Sequence, residues 1–311
     1  KYFEADTGLP LQLDFFLNFH GISLYEFYQP NGSRSLYRLK KWAELIHSTE
    51  DVDDSVYRSF IGLFHINSKR LIEYWIKYLT ENIQPQNEVE RLMRNMLYYT
   101  FYNKEPAKQG FANINEGIDA LFKYDFIKDE LLQILNYNLN KIDFIAKPNG
   151  YNFVCPLDVY CSYTTRQILA AFDYYNETKA PSFREGVKYF EDKKTDIFLI
   201  NLNKSEKDFS PSTMYEDYAI NEYLFHWQSQ SQLSDGSATA YRYFHHKELK
   251  SFVSLFVREF KKNGSYTSPY IFLGNASHIS HYGSKPISIT WKLDNPIPAS
   301  LLPNANKSIV L

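Results

Sequence analysis

Glu248-Leu249-Lys250 has the carboxylate-to-ammonium spacing that in a nuclease holds a divalent metal and orients a water, with Asp235 as an upstream acid able to join it. The triplet follows His245-His246-Lys247, a polar run that reads as a solvated turn rather than the buried strand such a centre requires. His278 and His281 are spaced as HxxH, which on a helix turns both imidazoles to one side for a metal. Gly274, Asn275, Ser277, Ser280 and Gly283 surround them, so the segment reads as a loop in which the histidines cap polar backbone. The phosphate loop GxxxxGK(S/T), GxGxxG, the nucleophile elbow GxSxG, HExxH and paired CxxC are all missing from the sequence. Cys155 and Cys161 are too few for a disulfide framework or a four-ligand zinc site. The expectation is a chain with no catalytic residue, metal or cofactor of its own.

The elements that would position any site fall into two regimes. From Leu9 to about Ile145 the apolar residues recur with helical period, best seen in Val89, Leu92, Met93, Met96 and Leu97. Similar stripes run through Leu36, Leu39, Trp42, Ala43 and Ile46, through Leu71, Trp75 and Leu79, and through Ile127, Leu131 and Leu135. Asn87 and Asn113 stand at N-cap positions, and Pro30-Asn31-Gly32, Pro85 and Pro106 punctuate the run. Seven or eight short helices packed as a bundle are expected. After Lys147-Pro148-Asn149-Gly150 the period changes to that of strands. Strands are expected at 196–202, 218–220, 225–229, 240–244, 252–260, 270–273 and 287–293, with one helix at 165–174. The fold class is therefore α+β: a helical domain over residues 1–147, then a β-rich domain over 148–311 forming a curved sheet or half-open barrel.

Charge restrains the choice of partner. Of 311 residues, 34 are Lys or Arg and 36 are Asp or Glu, leaving −3 over residues 1–150 and +1 over 151–311. Neither half is a polycation, so binding to nucleic acid needs a local patch or a neighbouring domain to supply grip. The 26 Tyr and 24 Phe must fill much of the core in a chain with only 3 Met, and some can stack on a ligand. The sequence starts at Lys1 and shows neither a leader nor an apolar run near membrane-spanning length, which reads as a piece of a longer soluble, cytoplasmic protein.

Several phrases of the second half are distinctive: REGVKYF (184–190), KTDIFLINLNKSEKDFSPSTMYEDYAI (194–220), LFHWQSQSQ (224–232), SPYIFLGNASHISHYG (268–283) and ISITWKL (287–293). With FFLNFHGISLYEFY (15–28) and RLKKWAELI (38–46), they make the chain resemble the C-terminal target-recognition region of SauUSI-like modification-dependent (type IV) restriction endonucleases. Such bacterial proteins carry a phospholipase-D-like nuclease and a superfamily-two helicase motor. The resemblance implies a reader of 5-methylcytosine or 5-hydroxymethylcytosine in double-stranded DNA, with an SRA-like fold that flips the base. It further implies the protein's own nuclease and helicase domains as partners, with ATP and Mg serving only the motor, which this chain lacks.

A flipped cytosine needs rings to stack on, an acceptor for its N4 amine and a clamp on its backbone. On that reading Tyr215 or Tyr218 stacks, Asp217 accepts, and Phe225, Trp227 and Gln228 form the opposite wall. Strand alternation gives a second reading, in which Phe225 and Trp227 face the core and His226 and Gln228 the other way. Backbone contacts fall to Asn203, Lys204, Ser205 and Lys207 after one strand, and to Arg184, Lys188, Lys193 and Lys194. Two alternatives stay open: a protein-interaction or regulatory module of the helicase-nuclease, and a B3-like major-groove reader that does not flip the base.

Overall fold

The computed structural model describes residues 2–9, 11–28, 31–203 and 217–301. It divides into two compact units: residues 1–145 with 163–182, and residues 146–162 with 183–311.

The first unit is helical. Its helices are α1 (Tyr2–Thr7), α2 (Leu13–His20), α3 (Leu24–Phe27), α4 (Leu36–Trp42), α5 (Asp54–Ser59), α6 (Lys69–Glu81), α7 (Glu88–Phe101), α8 (Pro106–Gln109), α9 (Ile114–Leu121), α10 (Asp125–Asn140) and α11 (Thr165–Ala171). The expected caps are present: Asn87 accepts from the Glu90 amide and Asn113 from that of Glu116, each satisfying a first-turn donor. Leu92, Met93, Met96 and Leu97 are buried along α7, and Trp75 of α6 donates its indole N–H to the Met93 carbonyl at 2.8 Å. The stripe expected from Leu36 to Ile46 stops early. Helix α4 ends at Trp42, whose side chain is 64% exposed, and Glu44 turns to positive φ.

Glu130 of α10 is buried and serves the N-terminus of α4. Its carboxylate accepts from the Leu36 amide at 2.5 Å, the Tyr37 amide at 3.1 Å and the Tyr28 hydroxyl at 2.6 Å. Burial outweighs these donors and pushes its pKa up to about 7.

The expected boundary after residue 147 lies close to the first crossing between units, at 145/146, but the chain then returns to the helical unit. Helix α11, expected within the β-rich domain, packs against α7. Gln167 donates to the Gly62 carbonyl and the Thr100 hydroxyl, and Arg166 donates to the carbonyls of Thr100 and Tyr102. The buried face of Ile168, Leu169 and Phe172 needs a helical partner, and α7 supplies it.

The second unit is built on one sheet. Its strands are β1 (Ser162–Tyr163), β2 (Val187–Phe190), β3 (Thr195–Asn203), β4 (Tyr218–Ala219), β5 (Leu224–Gln228), β6 (Phe252–Phe260), β9 (Tyr270–Tyr282) and β10 (Ser288–Leu293), with β7 (Lys262–Asn263) and β8 (Tyr266–Thr267) forming a separate hairpin. The main order is β2-β3-β6-β9-β10-β5-β4, with β1 joined to β9. Only β3 and β6 pair in parallel among the registers of this path, so the sheet is mixed, and β2 and β4 are its outermost strands among the described residues. No barrel closes among the described residues.

One face of the sheet packs on helix α12 (Ala238–Phe244) through Phe198, Ile200, Phe225, Trp227, Leu255, Ile289 and Trp291. Residues 240–244, expected as a strand, belong to this helix. Ser237 caps it by accepting from the Ala240 amide, and Ala240 and Tyr243, three apart, are its buried pair. Beneath the helix, Arg242 pairs with the buried Asp196 of β3 at 2.7 and 2.9 Å while its guanidinium lies 3.8 Å from the centre of the Tyr189 ring. The opposite face of β6 and β9 is covered by residues 149–157: Tyr151 bonds Ser254 at 2.7 Å, and Asn275 donates to the Asn149 carbonyl. Strand β9 runs on to Tyr282, well beyond the expected end at residue 273, so His278 and His281 sit on a strand rather than in a loop. Glu248 and Lys250 are exposed in the turn that leads into β6, not on a buried strand.

Candidate functional site

The period-two alternation in β5 and β10 sorts the site residues by face. Phe225 pairs with Trp291, and Trp227 with Ile289; all four point into the core. Trp227 stacks on Phe198 at 4.1 Å and 17°. This corrects the expectation that Phe225 and Trp227 form the wall of a base pocket: their burial against α12 leaves no face for a ligand ring. The alternation reading, which sent His226 and Gln228 to the other side, describes the observed arrangement.

That other face is polar and aromatic. It carries Tyr218, Leu224, His226 and Gln228 from β4 and β5, then Ser288, Thr290 and Lys292 from β10, with Ser277, Ser280 and Tyr282 opposite them on β9. The rings of Tyr218 and His226 are cross-strand neighbours stacked at 4.8 Å and 19°. Buried Asp217 accepts from the Gln228 amide at 3.0 Å, and the Gln228 side chain donates to the Ser288 hydroxyl at 3.4 Å. Asp217 therefore holds the end of β5 in place. Tyr215 lies outside the described residues, as do Lys204, Ser205 and Lys207.

The face ends in a cavity of about 430 Å³ lined by Asn221, Glu222, Tyr223, Leu224 and Lys292. Four of its five lining residues are exposed and Leu224 is half-buried, so it is an open depression at the surface. Its floor is fixed by backbone bonds. Asn221 Oδ1 accepts from the amides of Tyr223 and Leu224, closing a side-chain-capped turn. The Tyr223 carbonyl accepts from Leu293 and that of Glu222 from Ile297. With the backbone thus engaged, the Glu222 carboxylate, the Tyr223 ring and the Lys292 ammonium are the groups left to meet a ligand, all on exposed side chains. The sequence analysis passed over Asn221, Glu222, Tyr223 and Lys292. Asn221 between two short strands signalled the turn, and the Ser288, Thr290, Lys292 alternation signalled the face.

The residues expected to clamp a DNA backbone do not join this site. Lys188 lies on β2, Lys193 and Lys194 in the turn before β3, and Arg184 just ahead of β2, all at the sheet edge opposite β4. The two edges are the ends of the strand order, in a sheet that folds over its core so that Phe198 of β3 stacks on Trp227 of β5 four strands away. Lys193 is paired with Asp192 at 2.5 Å, and Asn203 ends β3 beside Phe260 of β6.

Residues 157–304 match the family model described as a domain of unknown function (DUF3427). The match covers just under half of the chain and takes in both the polar face and the cavity. No curated protein matches the chain. No helix among the described residues is long and apolar enough to cross a membrane.

Proposed function

We propose that the sheet unit reads a modified cytosine in duplex DNA, as the target-recognition part of a modification-dependent restriction enzyme. The observation that carries this reading is the polar face ending in a cavity that offers a ring, a carboxylate and an ammonium within one turn and its neighbouring strand. A flipped pyrimidine nucleotide calls for those three groups. In this proposal Tyr223 stacks on the base, Glu222 accepts from the N4 amine, and Lys292 meets the flanking phosphate. Tyr218 and Gln228, both half-buried, contact the adjoining strand across the face, and buried His226 backs the Tyr218 ring. The methyl group, a small apolar signal, is read by contact with the Tyr223 ring rather than by a hydrogen bond. Cutting and ATP hydrolysis belong, in the same proposal, to the nuclease and motor domains implied by the sequence resemblance.

Near-neutral charge supports modest intrinsic affinity, with other domains adding to the grip. The test is a set of single variants of the full chain, Tyr223→Ala, Glu222→Gln and Lys292→Ala, titrated against labelled duplexes with and without one 5-methylcytosine. Loss of a stacking ring costs about 1–3 kcal/mol, or roughly 5- to 150-fold in affinity. Tyr223→Ala and Glu222→Gln should reduce preference for the methylated duplex, whereas Lys292→Ala should weaken both duplexes alike. Unchanged preference in both Tyr223→Ala and Glu222→Gln rules out this cavity as the reader.

A further inference from the structure

His278 and His281 lie on the core-side face of the sheet, away from the cavity. Residues three apart on a regular strand point to opposite faces. In β9 the register slips at Ile279: His278 pairs with Trp291, Ser280 with Thr290 and His281 with Ile289. The extra residue swings both imidazoles to the same side, where Nε2 of His278 lies 2.9 Å from Nδ1 of His281.

Both rings are held from behind. His281 stacks flat on Phe244 of α12, with ring centres 3.6 Å apart at 4°. The His278 backbone amide donates to Nε2 of His246, and its ring stands edge-on to Trp291 at 6.1 Å. His246 has both nitrogens engaged, one with the Ser251 carbonyl and one with the His278 amide, and His245 bonds Glu248.

Two imidazole nitrogens 2.9 Å apart, at the usual metal–nitrogen length of about 2.0–2.1 Å, subtend roughly 90° at a shared ion. That is the angle between adjacent ligands in square-planar or octahedral coordination, and it is narrower than the tetrahedral angle zinc favours. We propose that His278 and His281 form a two-imidazole site for a divalent transition-metal ion of tetragonal preference, Cu²⁺ or Ni²⁺. In the metal-free pair one imidazole donates an N–H to the other. On binding, that proton moves to the ring's other nitrogen, and the two rings, which meet nearly head-on across the hydrogen bond, turn so that both lone pairs converge on the ion to one side of the nitrogen–nitrogen line. No group of three His, Cys, Asp or Glu side chains suited to a metal occurs among the described residues, so water or an external donor fills the remaining positions. Exposure of His281 leaves the ion reachable from solvent.

Copper(II) titration of the full chain, followed by calorimetry and electron paramagnetic resonance, tests the site. Wild type should show one tightest site with an axial spectrum split by two nitrogens. Removing either donor turns a chelate into a single contact, so His281→Ala and His278→Ala should each weaken that site by roughly 100-fold. His245→Ala should leave it unchanged. Because His281 is exposed, its variant separates ligation from misfolding. Copper binding by folded His281→Ala with wild-type affinity and an unchanged two-nitrogen spectrum would overturn the assignment.

Discussion

The buried Glu130 carboxylate makes the stability of the helical unit depend on pH in a direction opposite to that of most carboxylates. Its folded pKa is about 7 against an ordinary 4.5, so the folded state holds the proton more tightly than the unfolded state. Its contribution is therefore fully present below pH 4.5 and is lost as pH rises through 7. Between pH 5 and pH 8 the loss from this one group comes to about 2.5 kcal/mol by proton linkage. Glu130→Gln removes the titration while keeping the side-chain shape. Its amide can still accept from Leu36 and Tyr28 but turns an NH₂ toward the Tyr37 amide, a fixed cost at every pH. Denaturant unfolding of both proteins, followed by helical circular dichroism, gives the stability difference at each pH, with other titrating groups cancelling in the comparison. The advantage of wild type over Glu130→Gln should shrink by about 2.5 kcal/mol from pH 5 to pH 8. A difference that stays flat, or grows with pH, would refute the reasoning.

Two further outcomes follow from the sheet unit. Arg242→Ala strands the Asp196 carboxylate beneath α12 and should cost about 3–5 kcal/mol at pH 8. Burial already raises the Asp196 pKa, so protonation at pH 5 relieves part of that cost, and melting temperatures at the two pH values should show a smaller deficit in acid. Trp227→Ala removes a ring stacked between core residues and should cost about 3–5 kcal/mol, lowering the melting temperature and near-ultraviolet dichroism. Because Trp227 touches the core rather than the cavity, whatever variant protein remains folded should keep its preference between duplexes.

The α+β division was legible because apolar period alone separates α7, whose stripe and Asn87 cap are as expected, from β6, whose bounds are those read from the sequence. Residues 240–244 were misread because Tyr and Phe favour strands, while the deciding features, the Ser237 cap and the cover that the sheet demands, are tertiary. Helix α11 shows the same limit. Its amphipathic face was visible in the sequence, but not that its partner, α7, lies before the expected domain boundary. At the candidate site, residue types outweighed strand alternation in the choice of Phe225 and Trp227, and alternation was the better guide. The register slip that joins His278 to His281 has no signature in the sequence, since a bulge is set by the pairing of two strands.

The central claim is that the sheet unit distinguishes modified from ordinary cytosine. Fluorescence anisotropy of the full chain with two duplexes, identical except for one 5-methyl group, tests it most directly at a single stated salt concentration. Tighter binding of the methylated duplex by roughly tenfold or more, equivalent to about 1.4 kcal/mol, is the predicted result. Equal affinity for the two duplexes, or no binding to either, would contradict it.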